Sequence, residues 1–559
     1  MLIQTRPQNP QAAAQLQRDG LPPLLARLFA ARGVTARGQL RESLQQLEPF
    51  ATMKGILAAA ARLADAIARQ EKILVVADYD ADGATGCAVM VTGLAALGAH
   101  VDWLVPNRFD DGYGLTPEVA RQAAERQPDL LITVDNGIAA VEGVAEAQRL
   151  GMTVLVTDHH LPGNTLPDCL IVNPNQPGCP HPGKHLAGVG VAFYTLMALR
   201  AELRQHNAFA TRPEPNLSEL LDLVALGTVA DVVRLDANNR LLVETGLKRI
   251  RSGRARPGIA ALFLAAGRNP ANASAQDLGF FIGPRLNASG RLADMGLGVA
   301  CLLTRDADEA SRLAAELERL NRERRTVEAD MQREADGILN SVAVADSASL
   351  VLFDPGWHQG VIGLLASRLK ERHHRPALIF AAADEERIKG SGRSIPGLHL
   401  RDALDRVDRL NPGLIVRFGG HAAAAGLTLR RDDFATFAAA FEGVARAWLT
   451  ESDLTRSLET DGALGPHEFS LENACLLRDT VWGQGFPPPS FSGDFIVRSQ
   501  RLVGDKHLKL HLATPEWESE AMLFNHDSPL PDRIHAVFRL DVNAWQGRQT
   551  SQLTLEYWA

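Results

Sequence analysis

Apolar and polar positions change rhythm four times along the chain. Residues 1–47 read as a helical preface with no evident chemistry. From about 72 to 235, apolar runs of four to six residues alternate with Ala- and Leu-rich stretches of helical spacing. The runs begin at Lys72, His100, Asp129, Met152 and Cys169. Short β-branched runs between helices read as strands buried on both faces, hence βαβ units in a doubly wound parallel sheet. Such sheets bind ligands beyond the carboxyl ends of their strands. Leu313, Leu317, Leu320, Val327, Met331 and Ile338 share one helical face, with Glu and Arg between them, and predict one long helix over 306–342. Runs near 349–353 and 377–380 predict a second α/β unit over about 347–450. Beyond 455 the alternation has period two, as from Asp494 to Arg498 and from His507 to Leu512, broken by Pro487 to Pro489. That texture predicts a small antiparallel β-barrel. The divisions expected are 1–47, 48–304, 305–345, 346–454 and 455–559.

Composition narrows the partners. The 559 residues suffice for roughly three to five domains, and 46% hydrophobic with 22% charged residues excludes a disordered chain. No apolar run reaches the 18 or so residues of a membrane span, and the N-terminus lacks a signal-peptide core, so no membrane is expected. The 5 cysteines (87, 169, 179, 301 and 475) are scattered with no C-x-x-C, which favours a reducing cytoplasm and disfavours a thiolate zinc site. Net charge is −8, so any nucleic-acid binding must rest on local patches.

Candidate chemistry gathers at the predicted strand ends. The first strand runs into Asp78, Asp80 and Asp82; the third ends in Asp135 and Asn136; the fourth ends in Asp158, His159 and His160; a later apolar segment ends in Asp231. In a parallel sheet these ends share an edge. Carboxylates brought that close repel one another unless cations lie among them. Oxygen ligands mixed with imidazole suit Mn²⁺ or Mg²⁺, and two ions about 3.5–4 Å apart would serve phosphoryl hydrolysis. Plainer readings stand beside this one. Asp80, Asp158 and Asp236 can each be a helix N-cap or turn former, and either His a hydrogen-bonded core residue.

Three motifs, Asp80-Ala81-Asp82-Gly83, Val134-Asp135-Asn136 and Asp158-His159-His160, resemble the signature of the Asp-His-His (DHH) phosphoesterases. Segments 105–109, 112–115, 227–231, 283–291 and 419–426 extend the resemblance to the RecJ family of bacterial single-strand exonucleases, over roughly residues 50–430. Where many of the wider superfamily carry a His four residues before Asp80, this chain has Val76, and Asp78 offers the extra carboxylate. The resemblance implies a DHH domain joined by the long helix to a DHH-associated domain, with an oligonucleotide-binding (OB-like) barrel at the C-terminus. It also implies a metal-dependent 5′→3′ exonuclease that releases 5′-mononucleotides from single-stranded DNA, in repair and recombination.

The resemblance further assigns residues. One ion would be held by Asp82, Asp135, His159 and Asp231, and the other by Asp78 and Asp80, with Asp135 bridging as a catalytic residue. His160 would lie beside the scissile phosphate, orienting or protonating it, or would hydrogen-bond a ligand carboxylate. Phosphate donors would be Arg108, Arg285, Arg291, Ser391, Arg393, Gly420 and His421, because Arg forks match phosphate and glycine allows close approach. Each Arg can equally be a solvated surface charge. Basic residues over 248–256 and 498–509, and Trp482, Trp517, Trp545 and Trp558, suit either strand tracking with base stacking or ordinary faces and barrel core. A monomer in the cytoplasm is expected, with single-stranded DNA as substrate and a single-strand binding protein or helicase as candidate partner. The alternatives are a short-oligonucleotide phosphoesterase, whose chains are usually shorter, and a catalytically dead scaffold, which would have lost ligands that this chain retains.

Overall fold

The computed structural model describes residues 2–107, 112, 114–340, 344–504, 506–545 and 548–559. The chain forms two compact units: 5–318 with 459–559, and 319–458 with 1–4. No helix among the described residues is long and apolar enough to cross a membrane.

The first unit is built on a five-stranded, all-parallel sheet. Its order is His100–Leu104, Lys72–Ala77, Leu130–Val134, Thr153–Thr157, Leu170–Val172. Successive side chains enter opposite cores. Ile73, Val75 and Ala77 pack with the helices Ile56–Ala68, Ala81–Leu97 and Gly188–Gln205. Leu74 and Val76 pack with Val119 and Ala123 of Pro117–Glu125 and with Val144 and Ala147 of Val141–Arg149. Burial on both faces is why these runs are apolar throughout. From Lys72–Ala77 the chain first crosses to one neighbour and later to the other. The topological switch point therefore lies between Lys72–Ala77 and Leu130–Val134, where such sheets place their ligands.

One expected strand end is corrected. The apolar segment before Asp231 is the helix Leu221–Ala230, buried on nearly all sides. A short apolar run has no periodicity to distinguish a buried helix from a buried strand.

The tail is a closed barrel in the order Phe491–Val503, His507–Ala513, Glu518–Leu523, Arg548–Trp558, Arg533–Trp545. It is not wholly antiparallel: residues 521–523 pair in parallel with 553–555 and close it. The expected helical preface opens with a short strand, Leu2–Thr5, and its helices Pro10–Arg18 and Pro23–Ala30 are packed into the first unit. Arg32 makes a two-pronged ion pair with Asp461 at 2.8 and 2.9 Å, with side-chain exposures of 1% and 2%. Phe29 meets Trp482 and Phe486 edge-on. Trp482 also donates to the Leu477 carbonyl, and Trp517 stacks on Phe469 at 4.5 Å. These two tryptophans are packing residues. Several of the expected strand-tracking cations are likewise engaged, Lys248 with Glu244 and Lys509 with Glu520.

The second unit holds a five-stranded mixed sheet: Arg417–Gly420, Ala424–Arg430, Arg387–Arg393, Ala377–Ala382, Leu350–Phe353. The last two strands are parallel and the other pairings antiparallel. Phe380, Phe437 and Phe441 fill its core against Leu400–Leu410 and Phe434–Trp448. The predicted long helix is Ala307–Leu339.

Candidate metal centre

Each strand of the switch region continues its ladder one residue past its end. Asp78 donates its amide to Val134, Asp135 to Thr157 and Asp158 to Val172. That extra rung sets three acids level at the sheet edge. Asp135 sits there with φ +64°, a left-handed conformation that costs a non-glycine residue free energy.

The neighbouring elements then fix the side chains. Asp80 caps the helix Ala81–Leu97, accepting from the amides of Asp82 and Gly83 at 2.9 and 3.0 Å. The N-cap reading is thus correct, and a carboxylate has a second oxygen to offer. Asp82 is held by the first amides of Gly188–Gln205, from Gly188 at 2.6 Å and Val189 at 2.9 Å. Asp231 stands at the end of Leu221–Ala230.

Three groups result, each with its ligand atoms within 4.8 Å of one another: Asp78, Asp80 and Asp135; Asp82, His159 and Asp231; and Asp135, His159 and His160. His159 Nε2 lies 3.1 Å from Asp135 Oδ1, 3.5 Å from Asp231 Oδ2 and 3.9 Å from Asp82 Oδ2. Asp135 Oδ1 and His159 Nε2 are both buried and both lack a hydrogen-bond partner. Two strong lone-pair donors left unsatisfied 3 Å apart fit a shared cation. Space is tailored to match: a methyl on Gly188 would lie 2.5 Å from Asp135 Oδ1, so only glycine lets that backbone reach the carboxylate.

The electrostatics agree. Burial, then the charge of Asp80, pushes Asp82 up to about 7. Burial and the neighbouring acids, Asp82 first, hold Asp135 well above the usual carboxylate range, and Asp231 likewise. Cations among them would relieve that repulsion. The two histidines diverge. Burial and the charge of His160 push His159 down to about 4, which keeps it neutral and able to ligate. Burial would lower His160 too, but its hydrogen bond to Asp158 and the surrounding acids carry it up to about 9. Asp158 belongs to none of the three groups. It accepts from Ile138 N, His159 N, His160 N and His160 Nδ1, the last at 2.8 Å, and so locks the imidazole. Burial opposes its ionisation, yet the bond and charge of His160 keep it below the ordinary value. Asp236 is the plain N-cap of Ala237–Arg251.

The expected phosphate donors separate. Ser391, Arg393, Gly420 and His421 gather in the second unit, where Arg387–Arg393 pairs with Ala424–Arg430. Arg393 bonds Ser391 Oγ at 3.3 Å and the Gly392 carbonyl at 2.8 Å, and burial holds its guanidinium below its ordinary value. A methyl on Gly363, at the start of Ile362–His373, would lie 2.9 Å from Ser391 Oγ and 3.3 Å from Arg393 Nη2. A helix N-terminus, a hydroxyl and an Arg thus meet, a set suited to phosphate. Gly420 has φ +142°, and a methyl there would strike Ala424 O at 2.4 Å. His421 is exposed at the turn. In the first unit, Arg285 is turned inward, paired with Glu318 at 2.7 Å and donating to Phe281 O. Arg291 is half-buried in the last turn of Gly283–Leu292. Arg108 lies outside the described residues.

Sequence reasoning missed the supports. Asn287 accepts from Ala81 N at 2.9 Å, and Gly290 lies against the Tyr79 carbonyl, so the segment that carries Arg285 and Arg291 clamps the Asp78–Asp82 turn. Asn175 donates to His159 O and Asn173 to His160 O. The Asn, Pro and Gly density of 173–183 marked a loop but not its purpose.

Three family models match in order: the DHH family N-terminal domain over 72–228, the DHHA1 domain over 341–447 and the RecJ OB domain over 460–557. The chain is 49% identical to a single-stranded-DNA-specific exonuclease RecJ of Dickeya dadantii, with 98% of each chain covered. It is 48% identical to the corresponding exonuclease of Escherichia coli, over 99% of this chain and 98% of that one. The crystal structure of RecJ from Thermus thermophilus in complex with Mn²⁺ superposes with a TM-score of 0.83 at 32% identity, covering 100% of this chain and 79% of that one.

Proposed function

The chain belongs to the RecJ family of single-stranded-DNA-specific exonucleases, and from that premise we propose that it cuts single-stranded DNA from the 5′ end with two divalent ions, Mn²⁺ or Mg²⁺. The observation that carries this reading is the pair of unsatisfied buried atoms, Asp135 Oδ1 and His159 Nε2, in a ring of acids. One ion is assigned to Asp82, Asp135, His159 and Asp231, and the other to Asp78, Asp80 and Asp135. Bound there, the ions would neutralise the scissile phosphate and acidify a water beside it.

The protein's own groups do the rest. Asp135 alone belongs to both ligand sets. The amides of Gly188 and Val189 keep the Asp82 carboxylate from turning away. His160, cationic near neutral pH and locked by Asp158, offers a proton or a hydrogen bond to a phosphate oxygen. Ser391, Arg393 and the start of Ile362–His373 supply donors for a terminal 5′-phosphate, with Gly420, His421, Arg291 and Arg108 as further assigned contacts, whereas Arg285 is engaged by Glu318. Holding one end fixes which phosphodiester is cut, and positioning is a large share of catalysis. We place the activity in DNA repair and recombination, in the cytoplasm, carried by a monomer to which a single-strand binding protein or helicase presents DNA.

The test uses a 5′-phosphorylated labelled single strand, the same strand with a bulky 5′ block, and a closed single-stranded circle, each with Mn²⁺. Stepwise release of 5′-mononucleotides from the first alone is expected. Degradation from the 3′ end, or cutting of the circle, would overturn the polarity.

A further inference from the structure

A single exposed apolar side chain needs no account unless its backbone is held rigidly beside a functional centre. Here three large exposed ones sit on the elements that build it, two of them next in sequence to its residues. Leu161 follows His160 and is 61% exposed; Val232 follows Asp231 and is 63% exposed; Phe280 is 75% exposed. Val232 is held at φ +61°, where a β-branched residue is a genuine outlier. Backbone strain of that kind concentrates at functional sites.

The placement of Phe280 is specific. It lies on the single π-helical turn Leu278–Ile282, the wide geometry that often marks function. Leu278 and Ile282 are buried, and the guanidinium of Arg268 lies 3.7 Å over the ring of Phe281. The turn is therefore anchored on both sides while Phe280 faces solvent. A methyl on Gly279 would lie 3.3 Å from Val229 Cγ1, and one on Gly283 3.1 Å from Ala230 Cβ. The backbone on each side of Phe280 thus rests on the two residues that precede Asp231. The same element runs on into Gly283–Leu292, which clamps the first acidic turn through Asn287 and Gly290. Phe280 and Val232 are consequently fixed to the metal centre by short, rigid connections.

We propose that Phe280 is the stacking platform for an unpaired base of the substrate beside the metal centre, and so a residue that selects single strands. This rests on the exonuclease reading above and names the residue that enforces its specificity. The chemistry of the occupant follows from the rim. A strand whose phosphate reaches the acids must put its bases to one side, and a free base offers an apolar face that an aromatic ring can cover. In a duplex a base cannot turn onto the ring without leaving its pair and its stack, which costs a few kcal/mol.

Phe280 is exposed, so its replacement should leave the fold intact. The experiment compares wild type, Phe280→Ala and Phe280→Trp on two substrates with Mn²⁺: a 5′-phosphorylated oligothymidine, and the same strand with its first three sugars lacking bases. Phe280→Ala should lower kcat/KM on the ordinary strand by about tenfold or more, the value of one stacked base. On the abasic strand it should match wild type within about twofold, and Phe280→Trp should restore the ordinary strand. Equal losses on both substrates, or none on the ordinary strand, would overturn the platform while the exonuclease reading stands. A wild-type protein that cuts neither strand would instead overturn the exonuclease reading on which the platform depends.

Discussion

The metal centre and the Ser391–Arg393 cluster treat charge in opposite ways. The first gathers acids from four separate elements, buries them and leaves two lone pairs unsatisfied. The second is local: two residues of one strand meet the start of one helix, and its charge is a half-buried cation. An acidic cluster assembled from distant pieces is useless without cations and intolerant of shape change. A basic pocket on one strand only needs an anion and degrades gradually. Damage to the first should abolish chemistry, whereas damage to the second should weaken the capture of ends.

The sharpest break is Asp135→Ala. Losing the residue common to both ligand sets should cut kcat by about a thousandfold or more, since metal charge stabilisation amounts to several kcal/mol. Single-turnover assays at saturating Mn²⁺ check it, and near-normal turnover would remove the bridging role. Gly188→Ala should come next. Its methyl would crowd Asp135 Oδ1 at 2.5 Å, and overpacking typically costs about 1–3 kcal/mol, to be read as weaker Mn²⁺ binding by calorimetry. An affinity equal to wild type would show that the cradle is loose.

Arg393→Ala should lower kcat/KM on 5′-phosphorylated strands by about ten- to a hundredfold, the loss of a charge-assisted bond, and leave Mn²⁺ affinity unchanged. If Mn²⁺ binding falls as well, the two regions are not the separate devices described. The last test is in pH. Asp82 is raised to about 7 and Asp135 and Asp231 lie higher than usual, so protons occupy them as pH falls and cations must displace those protons. Mn²⁺ affinity should therefore weaken from pH 8 to 6, by about tenfold per unit for each proton displaced. Calorimetry in Asp82→Asn should give a shallower slope.

Much of this was legible in the sequence, for a physical reason. Strand runs buried on both faces announce themselves by composition, and Asp78, Asp80, Asp82, Asp135 and His159 follow those runs directly, so their convergence came from chain order alone. The long helix was equally plain, because its apolar positions repeat over 33 residues. Periodicity, however, reports only local burial. It could not tell that Asp231 arrives on a helix, that Asp158 serves His160, or that Trp482 packs on Phe29 and Phe486. Nor could it show Gly188 pressed against Asp135, Asn287 clamping Ala81, or Arg285 spent on Glu318. Each of these joins residues far apart in the chain or sets a side-chain direction, and neither quantity is encoded in spacing. The sequence by itself determined which groups could carry the chemistry; only the tertiary packing decided which of them converge into groups that could hold ions, which support those that do, and which are consumed in holding the molecule together.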